Sequence, residues 1–279
     1  MQIFPEMPRF FVEAAGIRTG YYMLGAPQNP PVLLLHGMST AADSFRETMY
    51  GLAADFWLIA PDIPGFGYSG KLRPYTMQNL EVWLVAFCDA LKLSDIALVG
   101  HSFGGLLSAS FTINRPQAIS KLLLIAPSIL VSTAYPEILK RIAISLRLID
   151  LGSAMSQSSF WVKRQIKAPF YDPDKQDETV WQRRLQDYKQ ARQSADVMKA
   201  AAFYDLRPFL PQIKQPVCLV WGQNDTVVAP TDAPKLAALL PDVQIQTVPE
   251  SGHVVILEQP EAFQAITKEF LSRNLTISA

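Results

Sequence analysis

Ser102, Asp225 and His253 are the residues of this chain whose types and order could carry out nucleophilic acyl transfer. Ser102 stands in Gly100-His101-Ser102-Phe103-Gly104, directly after the apolar run Ile96-Ala97-Leu98-Val99 and before a helical pattern. A serine on a sharp strand-to-helix turn takes strained dihedrals, and the residues two places to either side must lack bulk so that the chain can double back. A hydroxyl also needs a base to remove its proton and an acid to fix that base's tautomer and stabilise its charged form. The chain has three histidines. His36 belongs to an earlier loop, and His101 adjoins Ser102 with its side chain expected to point away, which leaves His253 as the base. Its setting, Ser251-Gly252-His253, is a small-residue loop that lets an imidazole reach inward. Asp225 follows the apolar run Val217-Cys218-Leu219-Val220-Trp221 through a turn containing Gly222, and completes the order Ser, Asp, His. Asp62 also ends an apolar run, but it precedes Ser102 in a Pro-Gly loop where an Asx turn is expected. Glu250 is too near His253 in sequence for the required geometry.

An acyl-transfer transition state needs hydrogen-bond donors where negative charge develops. The backbone N–H of Phe103, at the start of the helix after Ser102, is one expected donor, because unpaired amides and the helix dipole favour an anion there. The N–H of Met38 is the other: His36-Gly37 frees the loop after Leu35 to turn tightly toward the serine. His36, Gly37, Gly100 and Gly104 are thus expected to support the site rather than to react.

These residues need a frame that brings them together. Phe10 to Glu13 and Ile17 to Leu24, with Gly16 between, read as an antiparallel hairpin. Continuous apolar runs at 31–35, 57–60, 96–99, 122–125 and 217–221, with a further strand at 243–248, read as sheet covered on both faces. Helical periodicity over 44–54, 77–91, 106–113 and 260–271 alternates with them. The pattern predicts an α/β fold: a mostly parallel, eight-stranded sheet flanked by helices, with Met38, Ser102, Asp225 and His253 at the carboxyl edge where open sheets place ligands. From Ser128 to Arg207 no strand-like run occurs, and Leu139, Ile142, Ala143, Leu146 and Ile149 share one helical face. The core is therefore expected at 1–127 and 208–279, with a helical lid inserted at 128–207. The lid holds Tyr135, Phe160, Trp161, Phe170, Tyr171, Trp181, Tyr188, Phe203 and Tyr204, aromatic side chains available for packing and for lining a cavity.

Composition excludes several classes. With 25 Lys and Arg against 25 Asp and Glu, the chain has no field to steer nucleic acid or an anionic membrane, so the expected partner is a small apolar molecule. Its 49% hydrophobic content over 279 residues can fill a large core. Cys88 and Cys218 lie in apolar surroundings and are expected as buried free thiols in a reducing, cytoplasmic setting. The N-terminal MQIFPEMPRF has no secretory pattern, and no uncharged apolar stretch reaches the roughly 18 residues of a membrane span.

The motifs together resemble the α/β-hydrolase superfamily, in its lid-bearing branch of esterases, carbon-carbon bond hydrolases and lactonases. The resemblance rests on HG at 36–37, DIPGFGYS at 62–69, GHSFGG at 100–105, WGQND at 221–225 and SGH at 251–253, and spans nearly the whole chain. It implies an α/β-hydrolase fold and a serine hydrolase that cleaves carboxylic esters of small to medium apolar molecules through an acyl-enzyme, without metal or organic cofactor. Carbon-carbon or lactone cleavage on the same residues, or a small-molecule receptor of the same fold, are the alternatives. Members that place an aspartate at the elbow, the haloalkane dehalogenases and epoxide hydrolases, are set aside by Ser102. Carbon-carbon hydrolases of the superfamily often carry a tryptophan after the catalytic histidine, where this chain has Val254.

Overall fold

The computed structural model describes residues 5–133, 136–155 and 159–273; Tyr135 lies outside the described residues, as does the side chain of Phe160. The chain opens with an antiparallel hairpin, β1 (Arg9–Ala14) and β2 (Ile17–Leu24), turned by Ala15 and Gly16, both at positive φ (50° and 73°). β3 (Pro31–Leu35) leads through a short 3₁₀ turn at Ala42–Phe45 into α1 (Arg46–Leu52), so the helix expected from residue 44 begins later and tighter. Then come β4 (Trp57–Pro61), α2 (Met77–Ala90), β5 (Ile96–His101), α3 (Phe103–Asn114) and β6 (Ile119–Ile125).

Between β6 and β7 the described residues are helical: α4 (Glu137–Ser145), α5 (Leu148–Met155), α6 (Ser159–Lys167), α7 (Glu178–Gln190) and α8 (Ser194–Ala202). The single helical face expected over Leu139 to Ile149 is broken at Leu146 and Arg147, the latter at φ 53°, giving two helices. β7 (Val217–Gly222), α9 (Asp232–Ala237), β8 (Val243–Val248), α10 (Val255–Glu258) and α11 (Pro260–Ser272) complete the chain.

The eight strands form one sheet in the order β1-β2-β4-β3-β5-β6-β7-β8, parallel from β4 onward. Burial on both faces follows from period-two alternation. Leu33 and Leu35 join Trp83, Phe87 and Leu107 on the side of α2 and α3, while Val32 and Leu34 join Met49, Phe263 and Phe270 on the side of α1 and α11. Each fully buried aliphatic or aromatic side chain contributes about 1.5–3 kcal/mol over an exposed one. α2 shows how the helices attach: Thr76 caps its first turn by accepting from Asn79 N at 3.1 Å, and Leu80, Trp83, Leu84 and Phe87 form the buried stripe.

The chain runs from β3 to β4 on one side and then crosses to β5 on the other, so strand order reverses between β3 and β5. Open parallel sheets bind ligands outside the carboxyl ends of the strands at such a reversal. Cys88 and Cys218 are buried and unbridged, with burial pushing their thiols up to about 12 and about 11.

Candidate active site

Ser102 is the hinge between β5 and α3, at φ 54° and ψ −114°. Its N–H donates to Ile125 O at 2.9 Å, and its carbonyl accepts from Gly105 N (3.0 Å), Leu106 N (3.1 Å) and Ser128 N (3.0 Å). The strained conformation is thereby fixed from both β6 and α3. Gly100 and Gly104 permit the turn: a Cβ on the first would overlap Gly104 O and Ser108 Oγ, and one on the second would overlap Leu35 O.

Asp225 and His253 meet across the ends of β7 and β8. His253 Nδ1 lies 2.8 Å from Asp225 Oδ2, while Asp225 Oδ1 accepts from the N–H groups of Val227 (2.8 Å) and Val228 (2.9 Å). Both carboxylate oxygens are engaged and the side chain is fully buried, which orients it rigidly toward the imidazole. The two loops are knit together by Asn224 N donating to Ser251 O at 2.9 Å, and Gly222 is obligatory because a Cβ there would overlap the Gly252 carbonyl.

His101 does not point into empty core. Its Nε2 lies 2.9 Å from the His253 carbonyl oxygen, and the two rings sit 4.8 Å apart at 46°. Burial, reinforced by His253, holds its pKa well below the usual histidine range, so it is neutral. A carbonyl only accepts, so the single N–H is on Nε2, and the buried Nδ1 has no hydrogen-bond partner among the described residues. Gly37 packs against this edge: a Cβ there would lie 3.1 Å from both His101 Nδ1 and Ser102 Cβ.

The loop after β3 is anchored by His36, whose Nδ1–H donates to Gly37 O at 2.8 Å and whose Nε2 accepts from Ile63 N at 2.9 Å. Burial lowers its pKa, in keeping with a neutral ring bridging two loops. Asp62 is likewise structural: it binds Arg9 at 2.7 Å and accepts from Ala42 N and Tyr68 N, each at 2.9 Å. Among the described hydrogen bonds, neither the N–H of Met38 nor that of Phe103 is a donor, and both residues border the cavity beside Ser102.

That cavity, of about 480 Å³, is walled by Met38, Ser102, Phe103 and Ser128 below and by residues of α4, α5 and α8 above, including Leu139, Ile144, Ile149, Met198 and Ala201. The described aromatic residues of the helical segment do not line it. Phe170 and Trp181 pack edge-to-face at 4.8 Å, and Tyr188 joins Val162 and Ile166 in a separate small core. Among the described residues Lys140 is the one charged wall residue, and its ammonium is tied to Ser132 O and Ala202 O, each at 2.7 Å. No group of three or more His, Cys, Asp or Glu among the described residues is disposed to hold a metal ion.

Sequence reasoning missed Ser128, whose Oγ lies 3.1 Å from Ser102 Oγ. The available signal was its position just past the end of β6, the strand beside β5, but a hydroxyl without a motif gives no reason to single it out. No hydrogen bond between Ser102 and His253 is among those described; in the absence of substrate such bonds are commonly long and tighten on binding.

The family described as alpha/beta hydrolase fold matches residues 30–260. An uncharacterized hydrolase, YugF, of Bacillus subtilis is 27% identical over 280 residues, covering 97% of this chain and all of that protein. The 2-hydroxy-6-oxo-6-phenylhexa-2,4-dienoate hydrolase of Burkholderia cepacia is 27% identical over 263 residues, 89% of this chain and 90% of the other. Among solved structures, a thermophilic esterase from Thermogutta terrifontis superposes with a TM-score of 0.81 at 22% identity, covering 95% of this chain and 98% of its own.

Proposed function

The chain belongs to the alpha/beta hydrolase fold family, and we propose that within it the protein is a serine hydrolase cleaving neutral, aliphatic carboxylic esters of small to medium size. The observation that carries this reading is the cavity beside Ser102: its wall is mostly apolar, and Lys140, its one charged residue among those described, has two of its three N–H groups held by carbonyls. A neutral acyl chain gains burial against that wall, whereas a carboxylate would lose its water there and find only the third N–H of Lys140 to replace it.

In the proposed mechanism Ser102 Oγ turns from Ser128 toward His253, gives its proton to Nε2 and attacks the ester carbonyl carbon. The N–H groups of Met38 and Phe103 receive the oxyanion. Collapse breaks the carbon–oxygen bond, and His253 returns the proton to the leaving alcohol. His253 then takes a proton from water, whose oxygen attacks the acyl carbon, and gives it back to Ser102 as the acid departs. Asp225 holds the Nδ1 proton throughout and stabilises the imidazolium. Residues 128–207 act as the lid that closes the acyl site, and the buried free thiols support a reducing, cytoplasmic setting.

The second reading is carbon-carbon bond hydrolysis on the same residues, supported by relatives such as the Burkholderia dienoate hydrolase. Turnover of p-nitrophenyl butyrate and octanoate, of a p-nitrophenyl hemisuccinate and of a ring-fission dienoate separates the two. The ester reading requires the neutral esters to be cleaved fastest and the hemisuccinate poorly; cleavage of the dienoate alone overturns it. A fluorophosphonate adduct on Ser102, located by mass spectrometry, is expected, and its absence from folded protein favours a receptor.

A further inference from the structure

Glu258, the last residue of α10, accepts from chain segments on two sides. Its Oε1 takes the N–H of Tyr171 at 2.6 Å and of Asp172 at 3.4 Å, and its Oε2 takes the N–H of Gly252 at 2.8 Å. Tyr171 and Asp172 belong to the turn between α6 and α7, in the helical insertion; Gly252 directly precedes His253. The same turn contributes Pro169 O, which accepts from His253 N at 2.8 Å. The approach is close enough to require glycine at 252, where a Cβ would lie 2.5 Å from Pro169 O and 2.8 Å from Tyr171 N.

The carboxylate is half-buried; burial pushes its pKa up, and the backbone amides it accepts from, those of Tyr171, Gly252 and Asp172 among them, pull it back. A carboxylate in such a position costs folding energy unless its amide bonds are made, and making them fixes both segments at once. The turn is in turn anchored by Phe170, buried against the core and stacked edge-to-face on Trp181 of α7.

We propose that Glu258 is a positioning residue that locks the loop carrying His253 to the helical insertion, so that the seating of the insertion sets the placement of the imidazole. The role rests on His253 being the general base. It does not depend on which bond is cleaved.

The test uses the full chain carrying Glu258→Gln or Glu258→Ala, with Glu261→Gln, an exposed position on α11, as control. The isosteric glutamine keeps the measurement available if the alanine variant fails to fold, which circular dichroism reports. The first readout is the downfield proton resonance of His253 Nδ1–H shared with Asp225; the second is kcat and KM on p-nitrophenyl butyrate. The expected result is a shifted or broadened resonance and a kcat lowered roughly 10- to 100-fold, with both unchanged in the control. KM is expected to stay within about twofold. An unchanged resonance and kcat in folded Glu258→Gln overturn the proposal, as does a loss of rate that only tracks loss of folded protein. If wild-type protein turns over no ester while the resonance still responds to Glu258→Gln, the ester reading falls and the positioning role stands.

Discussion

The imidazole of His101 donates from Nε2 to the carbonyl oxygen of His253 at 2.9 Å, so the residue beside Ser102 in sequence is bonded to the backbone of the proposed base in space. The bond ties β5 to the loop after β8 through the His253 backbone and leaves the His253 imidazole uninvolved. His101→Phe keeps a ring beside His253 but loses the donor and leaves a buried carbonyl unpaired, at a cost of about 1–3 kcal/mol. A kcat lowered roughly 10-fold with little change in KM is expected in steady-state ester kinetics, partly restored in His101→Asn, whose amide can donate.

Ser128 holds the Ser102 hydroxyl at 3.1 Å, and in the proposed mechanism that hydroxyl must turn away to reach His253. Ser128→Ala removes a bond worth about 0.5–1.5 kcal/mol and is expected to accelerate phosphonylation of Ser102 by roughly 2- to 10-fold. A slower reaction, timed by mass spectrometry, would mean that the bond assists the nucleophile.

Gly222 faces the Gly252 carbonyl with no room for a Cβ. Gly222→Ala must push the Asp225 and His253 loops apart, and overpacking of this kind costs about 1–3 kcal/mol. Thermal unfolding should show Tm lowered by a few degrees, and activity measured well below Tm should fall further than the lost stability explains, since the displaced loops carry the two groups.

Asp187 of α7 is buried, and desolvation raises its pKa to about 7 against the lowering pull of Arg184. The unfolded chain releases this proton near 3.8, so between these values the folded state binds more protons. Stability contributed by the neutral acid is therefore present below about pH 4 and lost as pH rises through about 7. Relative to Asp187→Asn, which stays neutral, wild-type protein should lose stability on going from pH 5 to pH 8 in urea unfolding. An equal response of both proteins would show that Asp187 is ionised throughout.

Much of the fold was readable because its signals are local. Val32 to Leu35 and Val217 to Trp221 read as doubly covered strands because every residue is apolar, and the structure buries them on both faces. The helical segment was less readable. Leu139, Ala143 and Ile149 repeat as one helix would, yet Arg147 breaks the run, and the choice of aliphatic over aromatic walls for the cavity follows from how α4, α5 and α8 stack. Helical spacing says which residues share a face and nothing of which face meets a ligand.

By itself the sequence determined the residues with chemistry to offer and the strand ends that carry them. Glycine spacing around Ser102 and the length of apolar runs act through sterics and burial over a few neighbouring residues. The tertiary structure decided the partners: Ser102 with Ser128, His101 with the His253 carbonyl, Glu258 with Gly252 and Tyr171. Those pairings depend on the order β3-β5-β6-β7-β8 and on where the insertion settles, and hydrogen bonds between loops so far apart in the chain have no local signature to read.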